Sequence, residues 1–451
     1  MKRQVEQVSR RRIALDQQPL LPSLREETAA VAPGIERPVD EGPNLEAVLE
    51  PSNLRRAVRQ VIGNGGSPGV DGMGVKELPG YLREHWPSLK ADLLSGFYRP
   101  QPVRRVEIPK ASGGVRKLGI PTVVDRFLQQ ALMQVLQQHW DPTFSEHSYG
   151  FRPGRSAHQA VARAQGYLRD RRRWVVDLDL EKFFDRVNHD KLMGEVAKRV
   201  TDQRLLVLIR RYLRAGVMEH GVVRPSTMGT PQGGPLSPLL SNLLLDRLDR
   251  ELERRGHHFV RYADDCNIYV VTRRAGERVL SSITRFLETK LKLQVNRAKS
   301  AVDRPWNRSF LGFSFTRATP RRTVGVKALH AFKVRVRELT HRNRGASLGT
   351  VIRDLTPFLC GWRAYYGFSE TRVPLHLLDC WVRRKLRCYV WKQWGPARRR
   401  ELQRLGIPPE EAGVGGCSLG PWRMSLHPVT NRALSDAFFA ARGLPSLCAV
   451  P

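Results

Sequence analysis

Two groups of carboxylates in this chain have the types and spacing that metal-dependent phosphoryl chemistry needs. Tyr262-Ala263-Asp264-Asp265 stands between the apolar runs Phe259-Val260 and Ile268-Tyr269-Val270-Val271, which places two adjacent acids in the tight turn of a β-hairpin. Upstream, Trp174-Val175-Val176-Asp177-Leu178-Asp179-Leu180-Glu181-Lys182-Phe183-Phe184-Asp185 reads as an apolar strand that delivers an aspartate just before two aromatics. Strand side chains alternate faces, so Asp177 and Asp179 share one and both reach the same region. Carboxylates carried on separate strands can hold two Mg²⁺ ions roughly 3.5–4 Å apart, one activating an attacking hydroxyl and one neutralising a leaving pyrophosphate. That is the chemistry of nucleotidyl transfer. An Asp-Asp turn taken alone is more often a solvated hairpin tip, so the neighbouring segments decide.

Between the clusters lies Thr230-Pro231-Gln232-Gly233-Gly234-Pro235-Leu236-Ser237-Pro238, followed by a leucine-rich run through Asp246. The first part is too rich in Pro and Gly for a regular element, and the second has the length of a buried helix. Paired glycines let a backbone approach a base pair or nucleotide closely.

Around these segments the strands Arg173 to Leu178 and Phe259 to Val271 alternate with helical stretches at Arg126 to His139 and Ser241 to Arg255. The mixture predicts an α+β domain with helices on an antiparallel sheet. Ahead of it, helical patterns cover Leu54 to Ile62 and Tyr81 to Trp86. Beyond Pro320 the character becomes helical and basic, with patterns over Val324 to Arg342, Leu355 to Phe368 and Leu375 to Trp394. In the last of these Leu377, Leu378, Trp381, Val382, Leu386, Tyr389 and Val390 form an apolar stripe, interleaved with Arg383, Arg384, Lys385, Arg387 and Lys392. The stripe predicts core; the cations predict a face that tracks a nucleic-acid backbone or stacks on unpaired bases.

The ordered segments Gly69-Val70-Asp71-Gly72, Ile108-Pro109-Lys110, Arg116-Lys117-Leu118-Gly119-Ile120-Pro121 and Ser148-Tyr149-Gly150-Phe151-Arg152-Pro153 precede the acidic clusters. Leu293-Gln294-Val295-Asn296, Lys299-Ser300 and Phe310-Leu311-Gly312-Phe313 follow. In this order they resemble a bacterial group II intron-encoded reverse transcriptase and maturase. The resemblance implies a right-hand polymerase, fingers and palm followed by an α-helical thumb and maturase domain. The boundaries it implies are a disordered basic N-terminus over 1–43, an N-terminal extension over 44–99, fingers and palm over 100–318, thumb and maturase over 319–405, and a tail over 406–451.

Residue by residue, Asp179, Asp264 and Asp265 match the family's metal-binding aspartates; Asp179 stands six residues before Asp185 in an Asp-x-x-x-Phe-Phe-Asp pattern. Phe184 resembles the steric gate that favours dNTPs over rNTPs, with Phe183 the alternative. Lys110 and Arg116 resemble the finger residues that grip the triphosphate, and a Gly113-Gly114 turn between two cations suits a mobile clamp for a polyanion. Gln232 is the implied contact near primer-template and nucleotide, with Lys299 beside the same site. The implied cofactor is a pair of Mg²⁺ ions. The implied partners are group II intron RNA, an RNA template with a DNA primer, dNTPs and target DNA.

Composition points the same way. With 76 Lys plus Arg against 43 Asp plus Glu, the formal net charge is +33, and polyanions are the expected partners, bound with steep salt dependence. No apolar run of about 18 residues is present to span a bilayer, so no membrane partner is expected. The first forty residues mix Arg10-Arg11-Arg12 with scattered prolines and lack the apolar core of a signal peptide. The six cysteines include no Cys-x-x-Cys pair, which argues against a zinc site or a disulfide framework. A bacterial cytoplasmic ribonucleoprotein is the expected setting. The tail lacks paired cysteines and a histidine-rich motif, so the resemblance is to endonuclease-lacking lineages.

Two other functional classes share these features. A splicing-only RNA-binding maturase would be expected to lose one of the three acids, and none is lost. A relative recruited to host defence or DNA repair would keep the same polymerase core.

Overall fold

The computed structural model describes residues 42–109, 115–219, 222–224, 228–230 and 233–448, with only the backbone described at Arg116 and Val222. The N-terminal segment expected to be disordered lies, through residue 41, outside the described residues. The chain forms two compact units.

The first comprises the described residues up to Ser156, with Val176–Ile268 and Glu277–Ala301. After the short helical turn Leu45–Leu49, helix α1 (Pro51–Asn64) opens on a proline, whose fixed φ suits a first helical position, and closes on Gly65 at φ 64°. Leu54, Ala57, Val58 and Val61 make one buried stripe. A second helix, α2 (Leu78–Leu94), is followed by strands β1 (Val103–Pro109) and β2 (Val115–Ile120), which pair antiparallel with Ile108 opposite Arg116. The central helix α3 (Val123–Trp140) is capped by Thr122, whose hydroxyl accepts the Asp125 N–H at 3.1 Å. Asn53 of α1 donates to the Ala131 carbonyl of α3 at 3.0 Å, fixing the two helices together.

Strand β3 (Trp174–Leu178) carries Asp177 and ends just before Asp179. After helices α4 (His189–Ala197) and α5 (Gln203–Arg214), the short strands β4 (Val217–Glu219) and β5 (Val222–Arg224) extend the first sheet in the order β2-β1-β4-β5. The leucine-rich run becomes α6 (Ser237–Arg254), with Leu239, Leu240, Leu243, Leu244, Leu245, Leu248 and Leu252 buried. It starts four residues earlier than the leucine pattern predicts, because Ser237-Pro238 is itself a good helix entry. Strands β6 (His258–Tyr262) and β7 (Asp265–Val270) are joined by the two-residue turn Ala263-Asp264, the expected hairpin, and β7 lies between β6 and β3.

The second unit comprises Ala157–Val175, Tyr269–Gly276 and the described residues from Val302. Strands β8 (Phe313–Phe315) and β9 (Arg322–Val324) pair antiparallel. Helices α7 (Val326–Leu339), α8 (Leu348–Tyr366) and α9 (Val373–Trp394) follow. Their shared core includes Phe332, Val336, Leu355, Leu359, Leu378 and Leu386, and Leu434, Phe439 and Leu447 of the tail join it. The expected helix from Val324 to Arg342 is shorter, because Val324 is spent on the β8 ladder opposite Phe313 and Thr340 ends the helix.

Candidate active site

Ala263 sits in the left-handed region at φ 56°, a costly conformation for a residue with a Cβ. Two features hold it there. Gly150 is packed against it so closely that a Cβ on Gly150 would stand 2.3 Å from the Ala263 nitrogen. The segment bearing Gly150 runs beside β6: the Tyr149 N–H donates to the Arg261 carbonyl at 2.9 Å, and the Arg261 N–H donates to that of His147 at 2.9 Å. Second, the Arg261 guanidinium, fully buried, donates to the Ala263 carbonyl at 2.9 Å and to Asn242 at 3.0 Å. It also makes a two-pronged pair with Asp249 of α6 at 2.7 and 2.5 Å. Asn242 completes the circuit by donating to the Gly150 carbonyl at 2.8 Å. One buried network thus ties the turn, the Gly150 segment and α6 into a rigid base.

Asp179 is held from the other side. Its N–H donates to Ser300 Oγ at 2.9 Å, and its carbonyl accepts the Asn296 N–H at 2.9 Å. The Glu181 N–H donates to the Gln294 carbonyl at 2.9 Å. The Leu293-Gln294-Val295-Asn296 segment therefore straps the Asp179 loop, and Lys299 places its Nζ 3.7 Å from Asp179 Oδ2.

The acids share one electrostatic neighbourhood. Asp265 is pushed up to about 6, first by burial, then by the negative charges of Asp264, Asp177 and Asp179, with Lys299 pulling the other way. One side of the Asp265 residue remains open to solvent; the crowding comes from the protein atoms around the rest of it. Asp265 and the three carboxylates that act on it present hard oxygen donors of the kind a divalent cation such as Mg²⁺ takes. Among the described residues no three His, Cys, Asp or Glu side chains stand together as a group that could hold a metal ion unaided.

The two aromatics separate cleanly. Phe183 is 3% exposed and belongs to the core, whereas Phe184 is half-buried and lines a cavity of about 800 Å³ with Gly233, Gly234, Gln130, Arg126 and Phe151. The Phe184 carbonyl accepts the Thr230 N–H at 2.7 Å. Gly233, at φ 137°, would place a Cβ 2.6 Å from the Gly119 carbonyl oxygen, and one on Gly234 would meet the Gln129 amide at 2.4 Å. Gly233 is required by its positive φ and its approach to the β2 backbone, whereas Gly234 faces a side chain that could move. Lys110 and Gln232 lie outside the described residues; Arg116 is described only as β2 backbone, opposite Ile108.

The cationic face expected on α9 needs correction. Arg387 is 9% exposed, donates to the Leu434 carbonyl at 2.9 Å and pairs with Asp436 at 3.5 Å. Arg383 pairs with Asp436 at 3.1 Å and Asp379 at 3.9 Å, its side chain 15% exposed. Both point inward, because their carboxylate and carbonyl partners come from α9 itself and from the tail that folds against it. Arg384 and Lys385 are half-buried, and Lys392 is exposed.

The residues not identified from sequence are Arg261, Asp249, Asn242 and the structural use of Gly150. A charged residue inside the otherwise apolar Phe259-Val260-Arg261-Tyr262 was the available signal.

With this geometry in place the comparisons are specific. Residues 108–315 match the family described as reverse transcriptase (RNA-dependent DNA polymerase), and the fold is accordingly a mixed α+β reverse transcriptase fold with a helical C-terminal region. Residues 329–406 match the maturase-specific domain of group II introns. Over these two stretches the chain is similar to the group II intron-encoded reverse transcriptases and maturases. It is 40% identical over 217 residues to protein YkfC of Escherichia coli K12, covering 47% of this chain and 57% of that one. It is 38% identical over 172 residues to the group II intron-encoded protein LtrA of Lactococcus lactis, covering 38% of this chain and 28% of that one. The retron Mx65 reverse transcriptase of Myxococcus xanthus is 33% identical over 208 residues, with 44% of this chain and 47% of that one covered. The chain thus spans from little more than a quarter to somewhat over half the length of these relatives. Polymerases of this family work with divalent metal ions. Among the described residues no helix is long and apolar enough to cross a membrane.

Proposed function

We propose that this protein is an RNA-directed DNA polymerase that also holds a group II intron RNA and promotes its splicing and mobility. The observation that carries the reading is that the strand beginning at Asp265 lies beside the strand that carries Asp177 and ends just before Asp179, within the stretch matched to reverse transcriptases. Asp179, Asp264 and Asp265 would hold two Mg²⁺ ions, which when bound activate the primer hydroxyl and neutralise the departing pyrophosphate. The protein's own part is positioning and charge. The primer 3′-hydroxyl attacks the α-phosphate of a dNTP in line, forming the new phosphodiester as pyrophosphate leaves. The buried Arg261–Asp249 pair fixes the turn that presents Asp264 and Asp265. Lys299 steadies Asp179, and Phe184 closes the sugar end of the nucleotide site. Lys110 and Arg116 grip the triphosphate, and Gln232 contacts the nascent pair. Arg384, Lys385 and Lys392 serve the intron RNA. The setting is a bacterial cytoplasmic ribonucleoprotein.

The test is primer extension on an RNA template, wild type beside Asp264→Asn, with filter binding of a group II intron RNA run on both. Loss of extension with binding retained is expected. Equal loss of both counts against separate roles for the acids and the basic surface, and absent extension by the wild type removes the polymerase reading.

A further inference from the structure

In the second unit, a cavity of about 460 Å³ lies where the end of α7, the turn after it and α9 meet the helical turn Pro421–Met424. Arg337, His341, Arg342 and Lys385 line it together with Asn343 and Trp422, and no acid is among its lining residues. Among the described residues, Arg337, Arg342 and Lys385 form no ion pair, whereas Arg335, one residue before Val336, is matched to Glu338 at 2.8 Å. Burial, together with the like charges of Arg337, Arg342 and Arg384, holds the Lys385 ammonium below its ordinary range. An anion entering the cavity would relieve that crowding.

The second observation is aromatic. Trp422 remains 44% exposed although the Arg384 guanidinium lies 3.4 Å from its ring centre and Lys385 Nζ 5.5 Å away. Trp381, also on α9, has Arg337 at 5.5 Å and Lys385 at 5.8 Å from its ring. Cations ranged around indole rings at the mouth of a polar cavity match the two parts of a nucleotide, since phosphate meets the cations and a base lies on the ring. A paired duplex keeps its bases stacked on one another and offers none to Trp422; an unpaired strand does. The ring is supplied by residue 422, beyond the maturase-specific match that ends at 406, so one wall of the cavity comes from the tail. Cys388 Sγ lies 3.4 Å from the Pro421 carbonyl at that junction.

We infer that this cavity is a binding site for one nucleotide of single-stranded nucleic acid, with Arg337, Arg342 and Lys385 on the phosphate and Trp422 under the base. It deepens the nucleic-acid-binding half of the function proposed above by naming unpaired strand, and not duplex, as what the tail-built surface takes.

The experiment uses the full chain and titrates it with a short labelled oligouridylate, its deoxy counterpart, an RNA duplex and inorganic phosphate, followed by anisotropy and by tryptophan emission. Wild type should bind the single strands more tightly than the duplex, with quenching of tryptophan emission. Tighter binding of the ribo than the deoxy strand assigns the ligand to RNA, and the reverse assigns it to DNA. Arg342→Glu, at an exposed position, and Trp422→Ala should each weaken binding roughly tenfold, the scale of one lost phosphate or stacking contact. Trp422→Phe should keep most of the affinity. Unchanged binding in Arg342→Glu and Trp422→Ala, preference for the duplex, or equal loss in Trp422→Phe and Trp422→Ala overturns the assignment. Saturation by phosphate without competition from the strands does so too. Asp264→Asn should bind the oligomers as wild type does, so failure of the polymerase reading and failure of this one are seen in different assays.

Discussion

The hairpin of the first unit and helix α9 of the second handle charge in parallel ways. At the hairpin, acids of like sign crowd around Asp265, while immediately behind them Arg261 and Asp249 form a buried pair that neutralises itself. On α9, cations crowd around Lys385, while two residues to either side of it Arg383 and Arg387 are matched to Asp436. In each region a matched ion pair supplies rigidity, and beside it stands a group of like charges whose mutual repulsion a ligand of opposite sign would relieve. Residue type does not distinguish the two roles; only partners distant in sequence do.

The largest effect should come from breaking the like-charged group at the hairpin. Asp264→Asn should lower cDNA synthesis by at least roughly a hundredfold, because charge stabilisation of the transition state rests on the bound ions, while affinity for intron RNA stays near the wild-type value. Next is the scaffold pair. Asp249→Ala strands the Arg261 guanidinium without its partner and should cost about 3–5 kcal/mol, read as a lower urea midpoint, with cDNA synthesis falling as the Ala263 turn loosens. Stability unchanged in Asp249→Ala would erase the division between scaffold and functional charge.

That division also marks what could be read from the sequence. The hairpin, its two acids and the Asp177–Asp179 strand were legible because each rests on a local rule, a short apolar run bounded by a tight turn or by polar residues. Helices α3 and α9 were legible from their apolar periodicity, to within a few residues at their ends. The start of α7 was not, since Val324 is claimed by a ladder to Phe313, a long-range pairing that periodicity cannot see. Nor was the fate of Arg383 and Arg387: an arginine that pairs with Asp436 looks, in sequence, like one that faces RNA. Phe183 and Phe184 were likewise adjacent and equivalent until burial separated them.

Those two aromatics sharpen the comparison at a single step of chain. Phe184→Ala should raise incorporation of rNTPs relative to dNTPs in primer extension, with little change in the unfolding midpoint. Phe183→Ala removes a core ring and should cost about 3–5 kcal/mol of stability before it alters sugar choice. Reversed outcomes would move the gate away from the 800 Å³ cavity.

The raised carboxyl at Asp265 gives the hairpin a pH signature. Its ordinary value is 3.8 and in the fold it stands near 6, so between those values the metal-free folded protein holds a proton that the unfolded chain releases. The stability it contributes is present at low pH and is lost as pH rises through about 6. Divalent-ion binding runs the other way, because the ligand must be deprotonated. Calorimetric titration with Mg²⁺ on either side of pH 6 should show tighter binding on the alkaline side, and Asp265→Asn should flatten both trends.

The smallest effects belong to α9. Lys392 is exposed; if it meets one phosphate, Lys392→Ala should weaken intron RNA binding less than tenfold and reduce the slope of log affinity against log salt by about 0.7–0.9. Arg387→Ala should leave that slope alone. It deletes a hydrogen bond from a buried guanidinium to the Leu434 carbonyl and a partner of Asp436, so its cost, about 1–3 kcal/mol, should appear in the unfolding midpoint. Because Arg387 anchors the tail that carries Trp422, any loss of RNA affinity in Arg387→Ala should track unfolding and disappear at a temperature where the fold is intact. A change in salt slope under those conditions would place Arg387 on the nucleic-acid face after all and dissolve the distinction between the two kinds of cation on this helix.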